Sequence, residues 1–365
     1  MRLFQFNTYY LPYLEYFNAA HPHCRDSTYA ARLDALLEDR YWAPVVLWPV
    51  YQRDPEVRYT VTNDRTLQWK WADEHHFRSR DLKQILLAQI EDHRAEVIYS
   101  QNPRVFNAAW LRRLPGCVRR RVCYTSSPTP CGVFSAYHLW LSSHWPYVQS
   151  WRAAGIRSAC LMPSHDPYCR QLAANGERPV DIAFAGSYRP EVYARRNGVL
   201  AALTALTARH RVELRPFSPK WKSLNIRGLR RFGIPGFHYL PPEVRAISGP
   251  PVFGRDMYEL FGRSRIVFNA AVDASGIYRS NIRCFEALGC GACLLTDEGI
   301  YPPGLEPGRD FVTYRDGADA VAKLEALLAQ PEQARNYGLR GSASLAAHYS
   351  KPAQWERFQN LVSQL

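Results

Sequence analysis

Residues 280–297 read SNIRCFEALGCGACLLTD and constrain the fold more than any other stretch of this chain. A polar turn leads into a short helical pattern, Gly289 and Gly291 interrupt that pattern, and an apolar run follows. This order predicts a loop, a helix, a turn and a buried strand. The first turn of a helix carries unpaired N–H groups and a partial positive charge, so it suits an anionic ligand. Glu286 falls one or two turns inside, where a carboxylate can accept hydrogen bonds from sugar hydroxyls.

The pattern N-x-R-x-F-E-A-x-x-x-G, with its strand ending in T-D, resembles the donor-binding segment of nucleotide-sugar glycosyltransferases. The resemblance is closest to the CgeB-like branch of the group 1/family 4-like enzymes and extends over residues 181–360, with a looser match in the N-terminal half. It implies an α/β fold of the GT-B type, in which two Rossmann-like domains face each other across a cleft. It also implies that Glu286 binds the nucleotide ribose and that Asn281 and Arg283 lie near the phosphates.

A second group of residues expected near the donor follows the strand predicted to open the second domain. Gly186 and Ser187 end that strand and let the backbone approach a phosphate closely. Arg189, Arg195 and Arg196 come next and can neutralise a diphosphate. A tight turn followed by solvated arginines explains the same residues equally well. The expected donor-binding residues are Gly186, Ser187, Arg189, Arg195, Tyr278, Ser280, Asn281, Arg283 and Glu286.

Tyr278 is a departure from the pattern of the resembled enzymes. Many retaining members carry a second glutamate eight residues before the ribose-binding one, and here Tyr278 occupies that position relative to Glu286. The departure leaves open which contacts hold the transferred sugar, and therefore which sugar the donor carries. Asp273 is the nearest acidic residue.

The candidate catalytic residues are His165 and Asp166, in the segment SHDP that falls near the expected hinge between the domains. A turn in which Asp166 caps a helix explains the same residues, and this alternative stays open. A retaining enzyme needs no protein base if the leaving phosphate accepts the proton of the acceptor. An inverting enzyme needs one, and His165, Asp166 and His76 are the candidates.

Alternating strand and helix patterns predict an α/β protein throughout the chain. The strands predicted in the first half are residues 2–7, 45–50, 96–99, 121–125 and 138–142. Those predicted in the second half are residues 180–186, 212–215, 264–269, 292–295 and 311–314.

The chain is long enough for two domains of ordinary size. We expect a Rossmann-like, acceptor-side domain at 1–165 and a Rossmann-like, nucleotide-sugar-binding domain at 166–345. A C-terminal helix at 346–365 is expected to pack back on the first domain. Residues 216–250 are rich in Pro, Gly, Lys and Arg, which indicates a long and partly irregular insertion.

Composition and charge narrow the functional classes. Hydrophobic residues make up 47% of the chain and charged residues 22%, a balance typical of a globular protein. No apolar run reaches the roughly 18 to 20 residues that span a bilayer, and the first residues lack a signal-peptide pattern. We therefore expect a cytoplasmic protein. The net charge of +13 predicts an anionic partner, such as a phosphate-bearing donor, an anionic or glycan acceptor, or a membrane surface bound peripherally.

The nine cysteines are scattered through apolar segments and are expected to be reduced and mostly buried. Cys290 and Cys293 form a C-x-x-C pair, but no second pair or suitably spaced histidine accompanies them. We predict no metal site and no cofactor, because the nucleotide sugar itself is a substrate.

Two other functional classes remain open at this point. A basic nucleic-acid-binding protein fits the positive charge and the abundance of aromatic residues, although no nucleic-acid motif is present and no specific nucleic acid is expected. A catalytically silent relative that binds a nucleotide sugar fits the departure at Tyr278. The favoured hypothesis is a metal-independent, retaining glycosyltransferase.

Overall fold

The computed structural model describes residues 1–127, 136–174, 176–189, 192–217 and 240–365. Most of the insertion predicted at 216–250 lies outside these residues. The chain forms two compact units. Unit 1 comprises Met1–Ser164 and Tyr349–Leu365, and unit 2 comprises His165–His348.

Unit 1 contains a parallel sheet with the strand order β2-β1-β3-β4-β5-β6. The central strand β1 pairs with β2 and β3 in parallel, so that Leu3 lies opposite both Val57 and Val97. All residues of β1 and β3 are buried, as is typical of parallel strands covered on both faces. The strands are β1 (Leu3–Asn7), β2 (Val57–Val61), β3 (Val97–Ser100), β4 (Arg120–Tyr124), β5 (Leu139–Ser142) and β6 (Ser158–Cys160).

Side-chain caps mark the starts of several helices in unit 1. Thr28, Asp64 and Asp81 each accept a hydrogen bond from a backbone N–H in the first turn of the helix that follows. The helices are α1 (Leu11–Ala20), α2 (Tyr29–Glu38), α3 (Trp48–Tyr51), α4 (Arg65–Glu74), α5 (Leu82–Asp92), α6 (Ala108–Leu111) and α7 (Trp145–Ala153).

The strand predicted at 45–50 is wrong. This segment forms a 3₁₀ turn at Ala43–Val45 and then α3, and the second strand is Val57–Val61. Pro44 and Pro49 each fall at the start of a helical turn, where the missing N–H costs nothing, whereas a sheet ladder would lose a hydrogen bond. Residues Val46, Leu47 and Val50 are therefore buried in the core as part of helical turns rather than of a strand. The short strand β6 was not predicted.

Unit 2 contains a second parallel sheet, with the strand order β11-β10-β9-β7-β8. Ile182, Phe184, Ile266, Phe268 and Leu295 belong to one buried cluster, which shows the alternation expected of strands. The strands are β7 (Val180–Ser187), β8 (Val212–Phe217), β9 (Ser264–Phe268), β10 (Cys293–Asp297) and β11 (Val312–Tyr314).

The helices of unit 2 cover this sheet. Val199 and Leu200 from one helix join Ala320 and Leu324 from another in the buried cluster described above. The helices are α8 (Cys169–Ala173), α9 (Ala194–Ala202), α10 (Pro242–Ala246), α11 (Gly254–Gly262), α12 (Ile282–Gly289), α13 (Gly317–Ala329) and α14 (Pro331–His348).

The last helix, α15 (Lys351–Ser363), belongs to unit 1 and is fastened there by a buried lysine. The Lys351 side chain is 1% exposed, and its Nζ donates to Ala43 O at 2.6 Å, Val46 O at 3.0 Å and Ser164 Oγ at 3.2 Å. Nζ also lies 4.8 Å from the centre of the Tyr51 ring. The buried ammonium group therefore has three oxygen acceptors and an aromatic face.

Two further findings concern membranes and cysteines. In the part of the chain that the structure describes, no helix combines the length and the apolar character needed to cross a bilayer. The eight described cysteines are free thiols, and six of them are buried.

Candidate functional site

The start of α12 lies at the carboxyl edge of the unit 2 sheet, where the loops after β7 and β9 meet. Asp273, in the loop after β9, donates its N–H to Val192 O at 3.0 Å and accepts from Ala194 N at 2.7 Å through Oδ2. Asp273 Oδ1 lies 3.6 Å from Arg195 Nε. These contacts fix the start of α9 beside the loop that leads into α12. Ligands of open parallel sheets bind outside the carboxyl ends of the strands, which is this edge.

Asn281 occupies the N-cap position of α12 but does not use its side chain as a cap. Its Nδ2 donates to Asn269 Oδ1 at 3.1 Å, and its Oδ1 accepts from the Cys284 thiol at 3.2 Å. Asn269 in turn donates to Thr296 Oγ1 at 3.1 Å. The amide is therefore turned toward the ends of β9 and β10, which leaves the first turn of α12 without a side-chain cap from Asn281.

A buried ion pair holds the loop before α12 against the end of β10. Arg279 Nε lies 2.5 Å from Asp297 Oδ2, and both side chains are less than a tenth exposed. Asp297 also accepts from Ala271 N at 3.0 Å. The sequence analysis did not predict the ion pair of Arg279, because no local sequence pattern distinguishes a buried arginine from an exposed one. Asp297, which directly follows the apolar residues of β10, was the one feature of the sequence that indicated a buried acidic residue here.

Glu286 and Arg283 form an ion pair on the face of α12 that packs against α11. Arg283 NH1 donates to Glu286 Oε2 at 2.7 Å, and the guanidinium carbon lies 5.4 Å from the centre of the Phe261 ring. The same NH1 contacts Met257 Sδ. Glu286 is 5% exposed, and this burial raises the pKa of its carboxyl while the charge of Arg283 opposes the increase.

Buried and exposed arginines surround this edge of the sheet. Arg196 is buried, donates to Ser187 O, and lies with its guanidinium carbon 3.4 Å from the centre of the Tyr193 ring. Burial, with a smaller contribution from the charge of Arg283, lowers the pKa of Arg196 to about 10. Arg195 is more than half exposed. Arg195, Arg196 and Arg283 thus lie on the two helices that start at this edge, and a role for them in binding an anion stays a prediction.

The other expected donor residues are placed as follows. Gly186 and Ser187 end β7 and are partly exposed, and Arg189 is exposed in the loop that follows. Tyr278 is partly exposed and forms a parallel bridge with Ile300, so its backbone is fixed against the loop after β10. Ser280 is partly exposed directly before the N-cap of α12. Their roles in donor binding stay predictions.

His165 and Asp166 lie at the other end of α12. Both are 2% exposed, and Asp166 Oδ1 accepts from Tyr168 N at 2.9 Å in the turn that leads into α8. A Cβ atom added at Gly289 would lie 3.4 Å from His165 Cδ2, so the imidazole packs against the last turn of α12. The N-cap residue of α8 is Tyr168, and no side chain caps this helix, so Asp166 forms a turn before the helix rather than its cap. The catalytic role of His165 and Asp166 stays a prediction.

Two further expectations concern His76 as a candidate base and the absence of a metal site. His76 is exposed directly after α4, in unit 1, with a φ of 53°. No three His, Cys, Asp or Glu side chains of the described residues are grouped so that they could hold a metal ion. The absence of a metal from the reaction stays a prediction.

Replacing Arg279 with methionine is expected to destabilise unit 2 by about 3 to 5 kcal/mol, because Asp297 would remain buried without its partner. Hydrogen exchange of peptides from β9 and β10 would measure the loss. The matched control is Arg265→Met, since Arg265 pairs with Asp181 at 3.1 Å but is nearly half exposed. The control is expected to cost less than about 1 kcal/mol. Equal effects of the two substitutions would contradict a structural role for the buried pair.

Comparisons with known proteins give a family match for part of the chain and solved structures with the same fold. Residues 195–360 match the family model described as Glycosyl transferase-like. No curated protein matches the chain. HepE from Anabaena, solved in complex with UDP and glucose, is 11% identical over 100% of both chains, with a TM-score of 0.58.

Two further solved structures have the same fold. Sucrose-phosphate synthase from Thermosynechococcus elongatus is 12% identical over 85% of this chain and 84% of its own, with a TM-score of 0.54. An alpha-glucosyltransferase in complex with UDP and DNA is 9% identical over 84% of both chains, with a TM-score of 0.52.

The two parallel sheets therefore form a GT-B fold, in which both units are Rossmann-like. The family match over residues 195–360 confirms the resemblance to nucleotide-sugar glycosyltransferases, and this part of the chain is glycosyltransferase-like.

Proposed function

We propose that this protein is a glycosyltransferase that moves a sugar from a nucleoside diphosphate donor to an acceptor hydroxyl. The observation that carries the proposal is the start of α12, where the Asn281 side chain does not cap the first turn. Arg195, Arg196 and Arg283 lie in the first turns of α9 and α12, which start at this edge of the sheet. A diphosphate matches this combination of helix terminus and guanidinium groups. The start of α12 also lies within the region that matches the glycosyltransferase family model.

The favoured donor is a UDP-hexose. HepE, which shares the fold over its whole length, was solved with UDP-glucose. Glu286 is the proposed acceptor of hydrogen bonds from the ribose, and it also holds the guanidinium of Arg283. Tyr278 replaces the acidic residue expected for contact with the sugar. The transferred sugar is therefore proposed to rely on other groups.

The reaction breaks the bond between the anomeric carbon and the phosphate oxygen and forms a bond to the acceptor oxygen. The nucleoside diphosphate leaves with an additional negative charge, which the arginines and the first turn of α12 stabilise. In the retaining mechanism that we favour, the leaving phosphate oxygen takes the proton of the acceptor. Because guanidinium groups neutralise the leaving group, the proposed reaction is metal-independent.

The proposed acceptor is a glycan. Unit 1 presents Tyr10 and Leu11, each more than half exposed, directly after the carboxyl end of β1. The Tyr10 ring lies 6.1 Å from that of Trp42, centre to centre. Exposed apolar residues at the carboxyl edge of a parallel sheet are typical of a binding surface. Aromatic rings of this kind offer a flat apolar surface to the faces of sugar rings.

Calorimetric titration with UDP, GDP, dTDP and their common sugars tests the proposal. Wild-type protein is expected to bind one nucleotide, and Arg283→Ala is expected to weaken that binding at least tenfold, or about 1.4 kcal/mol. Arg209→Ala is the matched control, because Arg209 is 65% exposed and pairs with Glu325 on the surface of the same unit. The control should bind like the wild type.

The other outcomes distinguish the alternatives. Failure of the folded protein to bind any nucleotide would remove the basis of the proposal. Binding without transfer or donor hydrolysis would indicate a catalytically silent relative. Affinity for random oligonucleotides that falls steeply with salt, combined with indifference to nucleotide sugars, would indicate a nucleic-acid-binding protein.

A further inference from the structure

A group of arginines lies at the amino ends of β4, β5 and β6 in unit 1. The chain from Val97 to His165 contains eight arginines and neither aspartate nor glutamate. Ligands of parallel sheets usually bind at the carboxyl ends of the strands, so this is the opposite edge. Six of the eight lie between the end of α6 and the second residue of β4, or directly before β6: Arg112, Arg113, Arg119, Arg120, Arg121 and Arg157. We call these six residues, together with His138, the basic edge.

The starts of the three strands are neighbours. His138 N donates to Arg121 O at 2.8 Å, and Arg157 O accepts from Trp140 N at 3.0 Å. Adjacent strands are about 4.8 Å apart, so the starts of β4, β5 and β6 fall within about 10 Å. Arg121 and His138 are partly exposed, and Arg157 is exposed. Side chains from all three strand starts can therefore reach one ligand.

The contact between Arg121 and His138 contains more hydrogen-bond donors than acceptors. Arg121 NH2 lies 2.6 Å from His138 Nε2, and the backbone N–H of Arg121 points to His138 Nδ1 at 3.3 Å. A neutral imidazole accepts a hydrogen bond at only one of its two nitrogens. One of the two N–H groups of Arg121 consequently has no acceptor in the ring. An anion with several oxygen acceptors would satisfy such a surplus of donors.

The electrostatics of His138 also indicate uncompensated positive charge. Burial lowers the pKa of this imidazole, and the charges of Arg121 and Arg157 lower it further. Arg157 NH1 donates to Gln364 O at 3.2 Å, which is a neutral acceptor. The positive potential around His138 is therefore suited to a bound anion.

The outer arginines of the basic edge extend this potential. Arg119 N and Arg120 N both donate to Glu96 O, which fixes them beside the start of β3. The Glu96 carboxylate itself accepts from Arg2 N at 3.2 Å. Among the residues that the structure describes, no acidic side chain forms an ion pair with these outer arginines, which are Arg112, Arg113, Arg119 and Arg120.

We propose that the basic edge is a binding site for a phosphate group, with Arg121, His138 and Arg157 as its direct contacts. Guanidinium groups bind phosphate through paired N–H donors, and the imidazole supplies one more N–H. A free phosphate and the headgroup of an anionic lipid offer the same oxygen atoms. The inference concerns unit 1 alone and does not depend on sugar transfer.

NMR of the histidine side chains on the full chain tests the site. Inorganic phosphate is expected to shift the His138 signals in a saturable way, with a dissociation constant on the order of millimolar. A bound anion stabilises the imidazolium, so the pKa of His138 should rise in phosphate above its value in chloride. The two salts are compared at equal ionic strength, because screening alone also weakens the repulsion from the arginines. The spectrum of His138→Gln assigns the signals.

Substitutions separate the basic edge from the net charge of the protein. Arg121→Gln and Arg157→Gln are each expected to weaken phosphate binding about tenfold. Arg65→Gln is the matched control, because Arg65 is exposed at the start of α4 in the same unit. The control should bind like the wild type. If Arg121→Gln does not fold, Arg157→Gln still decides, since wild-type affinity in that variant would overturn the proposal.

Cosedimentation with vesicles identifies the source of the phosphate group. If the source is a lipid headgroup, vesicles that contain phosphatidylglycerol should bind the protein, vesicles of phosphatidylcholine alone should not, and Arg157→Gln should bind more weakly than Arg65→Gln. If the source is a free phosphate, inorganic phosphate should bind and both kinds of vesicle should not. Failure of both probes would overturn the proposal. Binding of random oligonucleotides alone would also overturn it, in favour of a nucleic acid.

Discussion

Replacing Glu286 with alanine is expected to reduce kcat/KM for sugar transfer by about 100-fold, or about 2.7 kcal/mol of transition-state stabilisation. Two effects add up. The substitution removes the proposed acceptor for the ribose, and it releases the guanidinium of Arg283 from its 2.7 Å contact with Glu286 Oε2. Steady-state kinetics with the donor identified by calorimetry would measure the loss. Glu259→Ala is the matched control, because Glu259 lies on α11 and is about half exposed.

Deoxynucleotides separate the two effects of Glu286. If the carboxylate accepts from a ribose hydroxyl, the wild-type protein should prefer UDP to its 2′-deoxy or 3′-deoxy analogue, and Glu286→Ala should lose that preference. A preference that persists in the variant would limit Glu286 to positioning Arg283. Transfer by Glu286→Ala at the wild-type rate would exclude both roles.

Donor affinity is also expected to depend on pH through the same carboxyl group. Burial raises the pKa of Glu286, with Arg283 opposing, so this residue takes up its proton at a higher pH than an exposed glutamate. The protonated carboxyl is a poorer acceptor and no longer pairs with Arg283. Wild-type affinity for UDP should therefore fall as the pH decreases through this raised pKa. Glu286→Gln, which does not titrate, should lack this part of the dependence.

The second large effect is expected at Lys351. Substitution by methionine keeps most of the volume of the side chain but removes the ammonium donor from Ala43 O, Val46 O and Ser164 Oγ. Ala43 O still accepts from Val46 N, and Ser164 Oγ still donates to Pro44 O. An unpaired buried acceptor costs about 1 to 3 kcal/mol, so the loss of the donor to Val46 O should destabilise unit 1 by up to about 3 kcal/mol. Hydrogen exchange of peptides from β1 and α15 would measure it.

Lys83→Met is the control for this experiment, because Lys83 is exposed on α5 of the same unit. It should change stability by no more than about 0.5 kcal/mol. An effect of Lys351→Met as small as that of Lys83→Met would mean that water or a rearranged side chain satisfies the three acceptors.

Local patterns in the sequence are sufficient to predict much of the secondary structure and the α/β class. Apolar strands followed by capped helices predicted the α/β class and nine of the eleven strands, because parallel strands buried on both faces are apolar along their length. The strand prediction at 45–50 was wrong because a short apolar run fits a buried strand and a buried helical turn equally well. Pro44 and Pro49 favour helical turns in this segment. The three-residue strand β6 is too short to show a period.

The candidate site was predictable only in part. The start of α12 and the ion-pairing partners Arg283 and Glu286 follow from helical spacing, since residues three apart lie on one face. Arg279 and Asp297 pair across 18 positions of sequence, and no local pattern reports such a contact. The sequence also does not predict that Arg196 is buried while Arg195 is exposed. Adjacent residues of a helix point in different directions, and which of them faces the core depends on the tertiary packing.

Unit 1 is discontinuous in the chain, since all of unit 2 lies between Ser164 and Tyr349. A ribosome must therefore synthesise unit 2 completely before it delivers the segment that carries Lys351. During that interval Ala43 O, Val46 O and Ser164 Oγ have no ammonium group to bind, while unit 2 already has all of its residues. We expect nascent chains to acquire protease-resistant structure first in their middle, and unit 1 to become resistant only after residues 349–363 emerge.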